Sequence, residues 1–168
     1  MLYQIETVIP IFAALDGAAL SPEAFSAVCQ SFGWDEPRDD GIGLWEVRHP
    51  KEGTLLVLDT VTKPVTLLCS LDAHDSYEPE ALLDGSLRLT FDENFLRSAE
   101  LLSSQFPQML GHGTYAPPYN WRFAHFEGRN SLIALEQSYY DPVMGVQLLL
   151  LLQPLSPVPA RTAISAAW

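Results

Sequence analysis

Four histidines, two cysteines and a scatter of carboxylates are the side chains in this chain with chemistry to offer. Asp72-x-His74-Asp75 sets one imidazole among carboxylates and reads as half of a divalent-cation site. A structural zinc takes four ligands, and no second His or Cys stands near it at ligand spacing, so no metal is expected. His49 and His125 each follow a tryptophan by four residues, Trp45 and Trp121, and share its face if both segments are strands. Beside turns, such histidines read as solvated tips. His112, between Gly111 and Gly113, falls in what reads as a loop. Cys29 and Cys69 sit in apolar runs, as small buried hydrophobes rather than nucleophiles or a disulfide framework. There is no Gly-x-Ser-x-Gly elbow, and Gly41-Ile42-Gly43 lacks the third glycine and following helix of a dinucleotide fingerprint. The expectation is a protein without an enzyme's machinery and without a cofactor.

Negative charge and aromatic surface are what the chain concentrates instead. Its 21 acidic residues against 9 Lys and Arg leave a net charge of −12. No basic residue lies between Lys63 and Arg88, a stretch that carries Asp72, Asp75, Glu78, Glu80 and Asp84. Such a surface repels phosphate backbones and anionic headgroups, which argues against nucleic acid and membrane and for a basic protein partner. Tyr115, Tyr119 and Trp121 cluster with Pro117 and Pro118, and Tyr139 and Tyr140 are expected across a hairpin from them. Tyr and Trp bury area at low entropic cost and dominate many interfaces. The predicted interface is therefore Tyr115, Tyr119, Trp121, Tyr139 and Tyr140 with the acidic Asp72, Asp75, Glu78 and Glu80.

A hydrophobic fraction of 48% excludes a disordered chain. Val8 to Leu15 is interrupted by Pro10, and Leu148 to Leu152 is too short to span a bilayer. With no evident signal peptide, a cytoplasmic location is the expectation.

The elements that must position these residues come in a repeated order. Trp45 to His49 aligns with Trp121 to His125, and Thr54 to Asp59 with Ser131 to Glu136. Each pair precedes a turn holding Pro64 or Pro142 and then a third apolar run, Val65 to Leu71 or Val146 to Leu152. Ser21-Pro22-Glu23 starts a helix with the stripe Phe25, Val28, Cys29 and Phe32, which Gly33 ends and Trp34 closes over. Asp92 is read as the cap of a second helix with the stripe Phe95, Ala99, Leu102 and Phe106. Tyr3 to Ile9 and Ser86 to Phe91 alternate like short strands, and Gly111 to Asn120 reads as a loop. The predicted fold is α+β: a mainly antiparallel sheet from two similar helix-plus-three-strand halves, with the helices packed on it. Residues 1–153 form one domain with a pseudo-repeat at 21–71 and 92–152, and a Pro- and Ala-rich tail fills 154–168.

In the order from Ser21 through Leu71 and Asp92 through Tyr140, the chain resembles the class I effector chaperones of type III secretion. That resemblance implies a homodimer wrapping a non-globular stretch of a secreted partner. With Tyr3 to Ile9 and Ser86 to Phe91 as leading strands, the order is also similar to the paired modules of the glyoxalase and bleomycin-resistance superfamily. That implies small-molecule binding, and Gln4 and Glu6 fall where its metal enzymes place a ligand. An immunity protein that neutralises a toxin is a third reading of the same acidic and aromatic surface.

Overall fold

Ile5, Val8, Ile9, Phe12 and Leu15 recur at helical spacing, and that period decides the N-terminal segment. They lie on α1, Ile5–Asp16, so the strand expected over Tyr3 to Ile9 is corrected to a helix from Ile5 onward, Tyr3 and Gln4 lying outside the described residues. Pro10 sits on its exposed side. The computed structural model describes residues 5–74, 85–117, 120–141 and 145–155. After α1 come α2 (Pro22–Ser31), β1 (Arg38–Asp39), β2 (Leu44–Arg48), β3 (Leu55–Asp59) and β4 (Thr66–His74). They are followed by α3 (Ser86–Gln105), β5 (Met109–Thr114), β6 (Arg122–Glu127), β7 (Ser131–Asp141) and β8 (Gly145–Pro154). Among the described residues the fold is α+β, with three helices and an eight-stranded antiparallel sheet.

Local chemistry explains most boundaries. Ser21 Oγ accepts the Ala24 N–H at 3.2 Å and Pro22 opens α2. Phe25 and Cys29 point into the core, whereas Phe32, expected in the core stripe, is the C-cap and is 47% exposed. Val28 is only partly buried. Trp34 is buried beyond the helix end, its N–H bonded to the Cys29 carbonyl at 3.0 Å. α3 begins at Ser86, with Gly85 as its N-cap, so Asp92 lies inside the helix and the strand at Ser86 to Phe91 is also corrected. The alternation there was misleading because Leu87 and Leu89 face solvent, while Phe91, Phe95, Ser98 and Leu102 form the buried helical stripe. Part of the expected loop at Gly111 to Asn120 is strand β5, ordered by its pairing with β6 despite two glycines. Val146 to Leu152 is strand, as the apolar run implied.

The strand order is β1-β2-β3-β4-β8-β7-β6-β5, two four-strand meanders joined edge to edge at β4 and β8. The expected alignment of Trp45 with Trp121 does not survive in the register. Opposite buried Leu56 stands Val47, whereas opposite buried Ile133 stands Phe126, and Phe123 points to the other face. Side chains alternate between faces along each strand, so the register sorts them into rows. One row runs Val47, Leu56, Cys69, Leu150, Leu135, Ala124, and each of these is at most 3% exposed. Together with Phe12, Phe25, Phe91 and Phe95 of the helices it makes the core.

Two polar ties fix the helices to this face. Asp16, at the end of α1, is 3% exposed and accepts the Arg129 and Asn130 N–H groups of the β6–β7 turn at 2.7 and 3.2 Å. A Cβ on Gly128 would displace the Asp16 carboxylate, so glycine there leaves room for this tie. Asn94 of α3 donates to Asp72 Oδ2 at 2.8 Å.

Candidate protein interface

The adjacent row belongs to the opposite face: Arg38, Glu46, Val57, Leu68, Leu151, Ala134, His125 and Gly111, one residue from each strand. No described helix lies over it. The polar contacts from α3 to Gln137, Asp72 and Arg122 of the sheet are made on the core side. Val57, Leu68, Leu149, Leu151 and Leu132 are half-buried on the free face, an apolar strip crossing the middle of the sheet. Carboxylates border it: Glu46 and Asp59 at one end, Glu127 and Glu136 at the other. At the β5 end an aromatic row adds to the strip. The Tyr115 and Phe123 rings are 5.0 Å apart, and His125 lies 5.1 Å from Phe123. His125 Nε2 meets Glu136 Oε1 at 2.9 Å.

The predicted interface residues scatter. Tyr115 reaches the helix-free face through Phe123, but Trp121 does not. Its indole is buried on the core side, edge-on to Phe91 with ring centres 6.1 Å apart, and the Arg88 guanidinium lies 4.9 Å from its centre. Asp72 is 1% exposed and held by Asn94, so it presents no carboxylate to a partner. Tyr119, Asp75, Glu78 and Glu80 lie outside the described residues, and of Tyr139 and Tyr140 only the backbone, in β7, is described.

Around Trp121 lies a polar cluster. Arg88 Nε donates to both oxygens of Asp92 at 3.1 Å, and Arg122 Nε lies 3.3 Å from Asp92 Oδ1. Gln137 Nε2 donates to the same oxygen at 2.8 Å, while its Oε1 accepts the Arg122 N–H at 2.9 Å. Arg88 Nη2 also donates to the Asn120 carbonyl at 3.1 Å. Arg88, Asp92 and Gln137 bond to one another, and through the Asn120 carbonyl they tie the approach to β6 to α3, which is an architectural role.

Other candidate chemistry is similarly absorbed. Burial pushes the Cys29 thiol up to about 12 and the Cys69 thiol higher still, so both stay protonated at neutral pH. An open cleft of about 350 Å³ is lined by Asp35, Glu36, Asp39, Asp40 and Glu46 together with Arg38 and Arg48. Asp39 Oδ1 already accepts the Gly41 and Gly43 N–H groups, and Asp40 Oδ1 those of Ile42 and Leu44, so these two carboxylates shape the turn before β2. Among the described residues, no group of three or more His, Cys, Asp or Glu is arranged to hold a metal ion, and no helix is long and apolar enough to cross a membrane. The two leading strands that the glyoxalase-like order requires are helical. Glu6, the ligand candidate of that order, is on α1, 3.2 Å from Arg97.

The helix-free strip itself escaped sequence reasoning, although a signal for it existed. Leu148 to Leu152 is a continuous apolar run, and Leu67-Leu68-Cys69 a shorter one, so both strands carry apolar side chains on both faces. Compared with protein-family models, with curated proteins and with solved structures, the chain matches none.

Proposed function

We propose that this protein is a non-enzymatic protein-binding module that docks a basic, partly apolar partner surface on the helix-free face of its sheet. One observation carries this reading: the half-buried strip Val57, Leu68, Leu151, Leu132 crosses four strands with no described helix over it, and carboxylates flank both ends. Apolar area supplies affinity, and the acidic rim with a chain charge of −12 selects and steers a cationic partner. A chaperone for a secreted protein and an immunity protein both fit this description, and the partner's identity separates them.

The test is native affinity capture from the source cell with the wild-type chain and with Leu68→Ser/Leu151→Ser. The expected result is a partner retained by the wild type and lost by the double variant, with an affinity that falls as the Debye length shrinks from ~10 Å at 0.1 M salt to ~3 Å at 1 M. A partner held equally by both chains would overturn the proposal. So would a co-purifying small molecule in place of any protein.

A further inference from the structure

Of the histidines, His125 shares the helix-free row of Leu68 and Leu151. His112 stands opposite Ala124 on the other side of the sheet, and His49 lies 4.9 Å from the buried Trp34 ring. His125 of β6 and Glu136 of β7 are diagonal neighbours, since Ala134 is opposite His125 and Glu136 is opposite Phe123. Such diagonal pairs are within reach of long side chains. Here His125 Nε2 meets Glu136 Oε1 at 2.9 Å, with the Phe123 ring 5.1 Å from the imidazole. Both side chains still touch water, at 27% and 20% exposure, so protons reach the pair.

The charged and titratable groups around His125 are few. β7 contributes Glu136, and β6 itself adds Glu127 two residues on, on the same face. β5 contributes Gly111 and Gly113, then the Tyr115 phenol ring against Phe123. Among the described residues no helix covers this face, and the one cation of these three strands, Arg122, is turned to Asp92 on the core side. Imidazole is the side chain whose ordinary charge change falls between pH 5 and 8. Its protonation beside an ionised carboxylate cancels the negative charge of the pair, at the end of the strip where the other rim carboxylate is Glu127.

We infer that the His125–Glu136 pair is a proton-operated switch on the docking face: at neutral pH its negative charge draws the cationic partner, and acidification weakens the complex by neutralising it. This rests on the protein-binding reading above and adds its regulation. Protons and a cationic surface compete for one pair. By linkage, a bound cation opposes protonation of His125 as strongly as protonation opposes the cation.

The probe is a short acetylated peptide of alternating lysine and valine, titrated calorimetrically into the full chain at low salt, at about pH 7.5 and about pH 5.5. The wild type is expected to bind it about threefold or more weakly at the lower pH, the scale of one partly exposed charge pair. His125→Gln keeps an N–H donor for Glu136 but does not titrate, and should lose that difference. Glu136→Gln at the higher pH should bind like the acidified wild type within about twofold, because either change brings the pair to zero charge. A control peptide with glutamine for lysine should show no pH effect. A pH effect of equal size in His125→Gln, or with the uncharged peptide, would overturn the switch and leave the docking face standing. A lysine peptide that fails to bind at the higher pH, or binds Leu68→Ser/Leu151→Ser equally well, would overturn the docking face and the switch with it.

Discussion

Strand β8 offers leucine to both sides of the sheet, and the two sides treat it differently. Leu148, Leu150 and Leu152 are fully buried beneath the helices, while Leu149 and Leu151, one residue away along the same strand, are half-buried on the open face. The difference is not in the residue type, the strand or the backbone pairing, which are shared. It lies in what stands opposite: Phe12, Phe25, Phe91 and Phe95 on one side, and no described helix on the other. Apolar side chains in the first setting hold the fold together. In the second they are available to something else.

The sharpest way to test that contrast is to truncate one leucine from each side. Leu150→Ala removes a fully buried side chain from the central row and is expected to cost about 2–5 kcal/mol in urea unfolding. Leu151→Ser, on the same strand, should cost about 1 kcal/mol or less and act on partner binding instead. Equal losses of stability would erase the distinction between the faces. Between these extremes falls Asp16→Ala, expected to destabilise by about 2–3 kcal/mol. It strips two backbone N–H groups of a charged acceptor and releases the end of α1 from the β6–β7 turn. No loss of melting temperature would mean that the helical layer is held by apolar packing alone.

The smallest effect concerns Asp59, at the end of β3 on the open face. Partial burial opposes its ionisation. The Thr62 N–H and hydroxyl, the Val61 N–H and the Lys63 charge outweigh that and hold its carboxyl below the usual range. A carboxyl whose folded pKa is depressed stabilises the fold above its unfolded pKa, and that contribution disappears as pH falls through the folded value. The stability difference between wild type and Asp59→Asn is thus expected to be constant at neutral pH and to shrink on acidification below the ordinary Asp range. A difference that grows in acid would refute this account. Asp59 is largely solvated, so the effect is a modest shift in melting temperature.

The sequence by itself determined the α+β class, the capped helix α2 and most of the strand segments. Ser21-Pro22 is a local chemical signal, and the runs Thr54 to Asp59, Ser131 to Glu136 and Val146 to Leu152 carry their strand character in their own residues. It misled where two periods coincide over a few residues: Ser86 to Phe91 fits both alternation and the start of a helix, and only packing of Phe91 and Phe95 against the sheet chose the helix. It misled again at β5, which reads as a loop because its Gly-His-Gly centre has no strand propensity, and which takes its conformation from pairing with β6. The candidate interface was the least legible part. Tyr and Trp near prolines look alike whether they face solvent or core, and only the tertiary arrangement placed Trp121 under Arg88 and beside Phe91. Which face of an all-apolar strand is covered is likewise decided by where the helices dock. That depends on contacts far apart in the chain, such as Asp16 with the turn at Arg129, which no local pattern encodes.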